Sequence, residues 1–337
     1  MLTPIPPAEN RASRGQILIM FALFATAMFG VLGLAIDLGI AFAERRTMQN
    51  AADLGAIAGA RAITRHSASL PLSAWPDVQK VVSENRMQSV PTITECSYLN
   101  DAGAALGPCT ATVPAAATGV RVRVTESHST FFMRVVPGAP NSVSTSATAA
   151  AFVQRLRNPG GDGPFIVCAS AKVQHGSNSF KILNEDGSVN PAAYGKTFQV
   201  HGPQINRCGL HDSSWKGLAA QGANSNKSIN EWWVGDTGTQ AGPTRENVRG
   251  VEGCAQYTQP PYNCVMFLPV AQELPEGTKK EGSDPMLYVV KILPFRVTSC
   301  GANCHQGELL ENYIVSGPSE SGWCRECGDI AVIKLRQ

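Results

Sequence analysis

The stretch from Ile17 to Ile36, ILIMFALFATAMFGVLGLAI, contains no Asp, Glu, Lys, Arg or His. Wound as an α-helix at ~1.5 Å per residue, its roughly 20 residues span about 30 Å, the depth of a bilayer's hydrocarbon core. A helix satisfies its own backbone hydrogen bonds, as lipid requires. The run has no polar stripe, which sets it apart from the core helix of a soluble protein. The pattern therefore predicts a transmembrane helix over 17–36, preceded by a tail of residues 1–16. A cleaved signal sequence is the competing reading, with Ala25-Thr26-Ala27 as the small-x-small triplet. Signal apolar regions are usually ~7–15 residues, and this one continues well past Ala27.

From Asp37 the pattern becomes mixed, DLGIAFAERRTMQNAADLGAIAGARAI, with no helix breaker before about Thr64. A long helix is predicted, leaving the lipid where Glu44, Arg45, Gln49, Asn50 and Asp53 appear. Ala51, Gly55 and Gly59 recur every fourth residue and so share one face. A face of small side chains admits another backbone closely. That backbone belongs either to this protein's own first domain or to a helix of another subunit.

Further on, Ser73 is placed to cap a helix from about Ala74 to Met87, with Val78, Val81, Val82 and Asn85 on one face. Strands are predicted at Thr92–Cys96, at Gly119–Thr125 and at Ser142–Val153. In the second of these the three valines point in while Arg121 and Arg123 point out. Two arginines on one strand face read as a solvated surface rather than a nucleic-acid edge. The segment Asn158-Pro159-Gly160-Gly161-Asp162-Gly163-Pro164 reads as a linker. Beyond it come short apolar runs between turn residues, with a central strand predicted over Leu287–Leu293 and a closing one over Ile330–Leu335. The fold class is α+β, with a pilin-like module of long helix, short helix and small sheet over 37–157, then a mostly β, Cys-rich domain over 158–337.

Formal net charge is +2 with no long basic run, which leaves no case for nucleic acid. Arg11 and Arg14, against Glu9, precede the apolar run, whereas the far flank opens with Asp37 and its first positive residues, Arg45 and Arg46, are offset by Glu44, so the positive-inside rule predicts a cytoplasmic N-terminus. The ten cysteines (Cys96, Cys109, Cys168, Cys208, Cys254, Cys264, Cys300, Cys304, Cys324 and Cys327) all lie beyond residue 95. An even number confined to the exported part predicts disulfides in a periplasmic or extracellular body. Local pairing suggests Cys96 with Cys109, Cys168 with Cys208 and Cys254 with Cys264. The last four pair among themselves.

Cys300-x3-Cys304 with Cys324-x2-Cys327 is also the spacing of a tetrahedral zinc site, and that is the alternative reading. Cys324-Arg325-Glu326-Cys327 has redox-motif spacing but lacks the helix N-terminus that lowers a thiol pKa. The six His stand in no nucleophile motif; His201 and His211 flank Cys208. Trp215, Trp232, Trp233 and Trp323 read as anchors of a loop-rich core, or alternatively as a patch for a protein or glycan. The residues support no catalysis, no cofactor and no small-molecule substrate.

The stretch from Gly15 to Ile63 resembles the N-terminal segment of the Tad (Flp) pilus-assembly proteins, the TadE/TadG-like group. The resemblance is carried by Gly15-Gln16, Gly33-Leu34-Ala35-Ile36-Asp37, and Gln49-Asn50-Ala51-Ala52-Asp53 followed by Ala56, Ala58, Gly59 and Ala60. It implies a single-pass protein of the bacterial inner membrane whose partners are pilins or other Tad assembly proteins. Type IV prepilins are cut after a Gly and carry Glu five residues later; here that position, counted from Gly15, is Met20. Gly15 is therefore expected to stay uncut, and the protein to act as an anchored accessory or minor pilin-like component. Some TadG-like proteins carry an Asp-x-Ser-x-Ser metal site. The nearest stretch, Asp212-Ser213-Ser214-Trp215-Lys216, has Lys at the last position, so the site is not carried over. The alternative is a released or filament-tip adhesion module.

Overall fold

The computed structural model describes residues 13–67, 70–86, 89–133, 140–157, 166–169, 172–199, 228–234, 264–272, 278–281, 284–299, 306–325 and 327–336. Helix α1 runs unbroken from Ser13 to Arg65, and α2 from Trp75 to Glu84. The strands β1 (Thr92–Leu99), β2 (Ala105–Pro108), β3 (Gly119–Ser129) and β4 (Ser142–Leu156) follow. Then come β5 (Val167–Cys168), β6 (Lys172–His175), β7 (Asn178–Lys181), β8 (Phe198–Gln199) and β9 (Glu231–Val234). The last are β10 (Cys264–Ala271), β11 (Thr278–Glu281), β12 (Asp284–Ser299), β13 (Gln306–Leu309), β14 (Ile314–Val315), β15 (Ser319–Glu320) and β16 (Ala331–Arg336). The architecture is α+β.

The first sheet has the order β14-β16-β4-β3-β1-β2, with β15 also on β4. Its strands pair antiparallel except β14 with β16. One face receives α1 and α2. The core between them holds Met48, Ala51, Ala52, Ala56, Ala60 and Ile63 of α1, Val78 and Val82 of α2, and Val120, Val122 and Val124 of β3. The second sheet has the order β5-β10-β12-β13-β8, with β9 and β11 also on β12. The central strand β12 contains the predicted Leu287–Leu293 and carries Leu287, Val289, Ile292, Leu293, Phe295 and Val297 into a second core.

Two sequence expectations change. The helix cap is not Ser73: Ala74 stands at the N-cap of α2 with no side-chain cap. The start of α2 is held instead from outside the helix. Tyr98 Oη accepts from Ala74 N at 2.8 Å, and Cys109 O accepts from Trp75 N at 3.1 Å. With Pro76 removing a further donor, no side-chain cap is needed.

The second change concerns the C-terminus. The strand β16 does not close the second sheet. It pairs with β4, from Ala331↔Arg155 to Arg336↔Ala150, and so belongs to the first. The pairing buries Ala331 and Val332, and it covers the flank of a long strand that would otherwise be an open edge. The division at residue 158 is therefore crossed by the chain's last strand.

Candidate functional site

The apolar run of α1 projects from the folded body. Ile17, Phe21, Phe24, Phe29 and Val31 are exposed, and the run is long and apolar enough to cross a membrane. Below it the helix becomes one-sided. Gly33, Asp37, Glu44, Met48, Ala51, Ala52, Gly55, Ala56, Gly59 and Ala60 are buried, at spacings that keep them on one face of the helix. That stripe seats α1 on the first sheet.

The small residues of the stripe set how closely the two approach. A Cβ on Gly59 would lie 2.7 Å from Val120 Cγ1, and one on Gly55 would lie 2.9 Å from Val82 Cγ2. Ala51 is fully buried in the same core. The face formed by Ala51, Gly55 and Gly59 is thus occupied by this protein's own β3 and α2.

The strand β3 runs along α1 toward the membrane end. Its inward residues are Val120, Val122, Val124, Glu126 and His128. The alternation that ends in sequence at Thr125 therefore continues in space, with polar side chains on the buried face. Glu126 and His128 escape a hydropathy reading because the pattern persists while the polarity reverses.

Glu44 is 0% exposed, and neither of its carboxylate oxygens meets a hydrogen-bond donor. Burial and the Glu126 carboxyl beside it raise the Glu44 carboxyl above its ordinary value. Two carboxylates are both acceptors, so they bond to each other only if one holds a proton. Glu126 Oε1 in turn accepts from Ser89 N at 2.8 Å.

At the end of this row Asp37 acts as a backbone clamp. Its Oδ1 accepts from Phe131 N at 3.0 Å, and its Oδ2 accepts from Phe132 N at 3.0 Å and Met133 N at 2.7 Å. Phe132 lies over Gly33, where an added Cβ would come within 2.6 Å of the Phe132 Cβ. Sequence flags Asp37 as the first charge after the apolar run and as the last residue of the Gly33–Asp37 motif, with no sign of what it binds. Its partners are more than ninety positions away, beyond the reach of any local signal.

The other end of α1 is tied down by the C-terminal segment. Arg325 Nε donates to Ile63 O at 3.2 Å, and a cation there also complements the helix C-terminus. Trp323 is buried in the first core, and its Nε1 donates to Asp329 O at 3.1 Å. Lys291 of β12 donates through Nζ to Gly187 O at 2.9 Å and to Cys327 O, joining the second sheet to this segment. Burial pulls the Lys291 amine down, against the nearby Asp329 and Asp186 carboxylates, which favour its charged form.

Cys96 and Cys109 form a disulfide, Cα to Cα 5.4 Å, bracing β1 against the segment after β2. Cys324 and Cys327 form another, and Cys168 is also disulfide-bonded. In the zinc alternative Cys324 and Cys327 would be ligands; here they are joined to each other, and sulfurs so joined offer no thiolate to a metal. Among the described residues no group of three His, Cys, Asp or Glu side chains is placed to hold a metal ion. Cys208, Cys254, Cys300, Cys304, His201, His211 and residues 212–216 lie outside the described residues, as does the side chain of Cys264. Of the tryptophans, Trp233 is buried and donates from Nε1 to Ser228 O at 3.0 Å, while Trp232 is half-buried edge-on to Tyr288.

Neither a curated protein nor a solved structure matches the chain. One family model does, the Tad family described as "Putative Flp pilus-assembly TadE/G-like", over residues 15–62. The matched span takes in the exposed apolar run and the small-residue face seated on the sheet. Residues 15–62 are thus similar to the Tad pilus-assembly segment of the TadE/G-like kind, and they carry a helix long and apolar enough to cross a membrane.

Proposed function

We propose that this protein is a non-catalytic, membrane-anchored accessory or minor pilin-like component of Tad (Flp) pilus assembly. The observation that carries the reading is the family match over residues 15–62, which falls on a helix whose apolar end stands free of the body. The N-terminal tail lies in the cytoplasm and the sheet-bearing body in the periplasm. The charges flanking the run and the disulfide-bonded cysteines beyond it support that orientation. Because the small-residue face is used internally, partners meet the apolar run within the membrane and the body's outer surfaces. Other Tad assembly proteins or pilins are those partners.

The test is deletion of the gene in its own host, with pilus counts by electron microscopy and complementation by the full chain. Loss of pili restored by the full chain supports the role; wild-type piliation without the protein overturns it. Protease added to spheroplasts tests orientation separately, and survival of the disulfide-bearing body would reverse it.

A further inference from the structure

Phe131 and Phe132 are 59% and 46% exposed, two adjacent aromatic rings at the end of the longest strand pairing in the first sheet. Their height along the molecule follows from the contacts of α1. The pairs Gly59–Val120 and Gly33–Phe132 mark the two ends of the helix–strand contact. The helix climbs about 39 Å between its two members at ~1.5 Å per residue. The strand β3 climbs about 30 Å of that from Val120 to its end at Ser129, at ~3.3 Å per residue, and the chain then bends so that Phe132 meets Gly33. Phe132 thus stands level with Gly33, about 5 Å inside the end of the apolar run at Ile36.

Three further features fit that level. The amides of 131–133, which would be unpaired in lipid, are all taken up by the carboxylate of Asp37. Asp37 itself is covered, 6% exposed, so the charge does not face outward. On the same stretch of α1 the exposed large side chains are Leu34, Ile36, Leu38 and Phe42, and exposed charge begins at Arg45 and Arg46. The aromatic pair and this part of the helix thus form one continuous apolar surface above a polar belt.

We propose that Phe131 and Phe132 are a second membrane contact, inserted among lipid acyl chains at the interface of the leaflet facing the body. The pair, clamped by Asp37, docks the sheet on the bilayer and fixes its tilt and rotation about α1. Phenylalanine carries no polar group and is favoured among acyl chains, as on the buried faces of helices that lie in the interface. The inference rests on α1 being the membrane anchor.

The test uses the full chain in vesicles of phosphatidylethanolamine and phosphatidylglycerol. Trifluoromethyl-phenylalanine replaces Phe131 in one sample, Phe24 of the apolar run in a second and Leu106 of β2 in a third. Fluorine spectra are recorded with lipid spin-labelled high on the acyl chain and, separately, with a gadolinium chelate in the water. The expected result is that position 131 behaves as Phe24, its signal lost to the lipid label and retained with gadolinium, while position 106 does the reverse. If 131 follows 106 while Phe24 remains lipid-exposed, the second contact is refuted and the anchor stands. If 131 is shielded from both probes, protein covers it rather than lipid, and the proposal is again overturned. If Phe24 itself follows 106, the anchor reading fails and takes this inference with it.

Discussion

Replacing Gly59 by Ala tests whether α1 lies on the first sheet in the register described. The new Cβ would stand 2.7 Å from Val120 Cγ1 and 3.1 Å from its Cβ and Cγ2. Carbon atoms prefer about 3.5–4.0 Å, so the helix and strand must part by close to an ångström or distort. Val120 cannot yield easily. It is fully buried, stiff at χ1, and held on both sides by Tyr98 of β1 and Ala151 of β4. Overpacking of this kind costs about 1–3 kcal/mol. The better helix propensity of Ala returns about 1 kcal/mol, leaving a net loss of up to ~2 kcal/mol. Gly39→Ala is the control, because a Cβ there meets nothing within 4 Å. It should stabilise by about 0.8–1 kcal/mol through propensity alone. The difference between the two variants isolates the steric contribution, since propensity is common to both. Urea unfolding of the full chain in detergent micelles, followed by tryptophan fluorescence, measures it. Val120→Ala combined with Gly59→Ala should recover more than ~0.5 kcal/mol relative to the sum of the single changes. Equal stabilisation by both glycine replacements would refute the packing of α1 on β3.

Four other outcomes follow from the same structure. Tyr98→Phe leaves the buried amide of Ala74 without its acceptor and should cost about 1–3 kcal/mol in the same unfolding assay. Replacing Cys96 and Cys109 together by Ser releases a loop closed over a separation of 13 residues. The loss should be roughly 3 kcal/mol, with peptide mass mapping of the wild type showing the intact bridge. Burial, and then the Arg325 guanidinium, hold the His66 imidazole below its ordinary value, and its Nδ1 accepts from Leu72 N at 3.0 Å. Folding therefore favours neutral His66: its contribution is complete above about pH 6.5 and is lost as pH falls through the folded value. His66→Gln should flatten that part of the stability profile, and an unchanged slope below pH 6.5 would count against it. A fragment of residues 37–157 lacks β16 and exposes the flank of β4, so it should aggregate, as read by size-exclusion chromatography, whereas residues 37–337, which keep β16, should not.

The features legible in the residues alone are those set by near neighbours. The apolar run, the long helix after it, the inward valines of β3, the central strand β12 and the bridge between Cys96 and Cys109 all arise within a few turns of chain. Helical and strand periodicity, and closure of a short loop, need no distant partner. What only the tertiary structure decides is which surface each pattern meets. Ala51, Gly55 and Gly59 suit a sheet or another subunit's helix equally well in sequence, and the valines of β3 and α2 claim them. The strand β16 has an apolar pattern that either sheet accepts, and backbone pairing to β4 carries no residue code. Asp37 reads as the charge that ends an apolar run, until a turn more than ninety positions away brings it three backbone donors. Hydropathy is a property of a window, whereas sheet order and the satisfaction of buried polar groups depend on the whole chain at once.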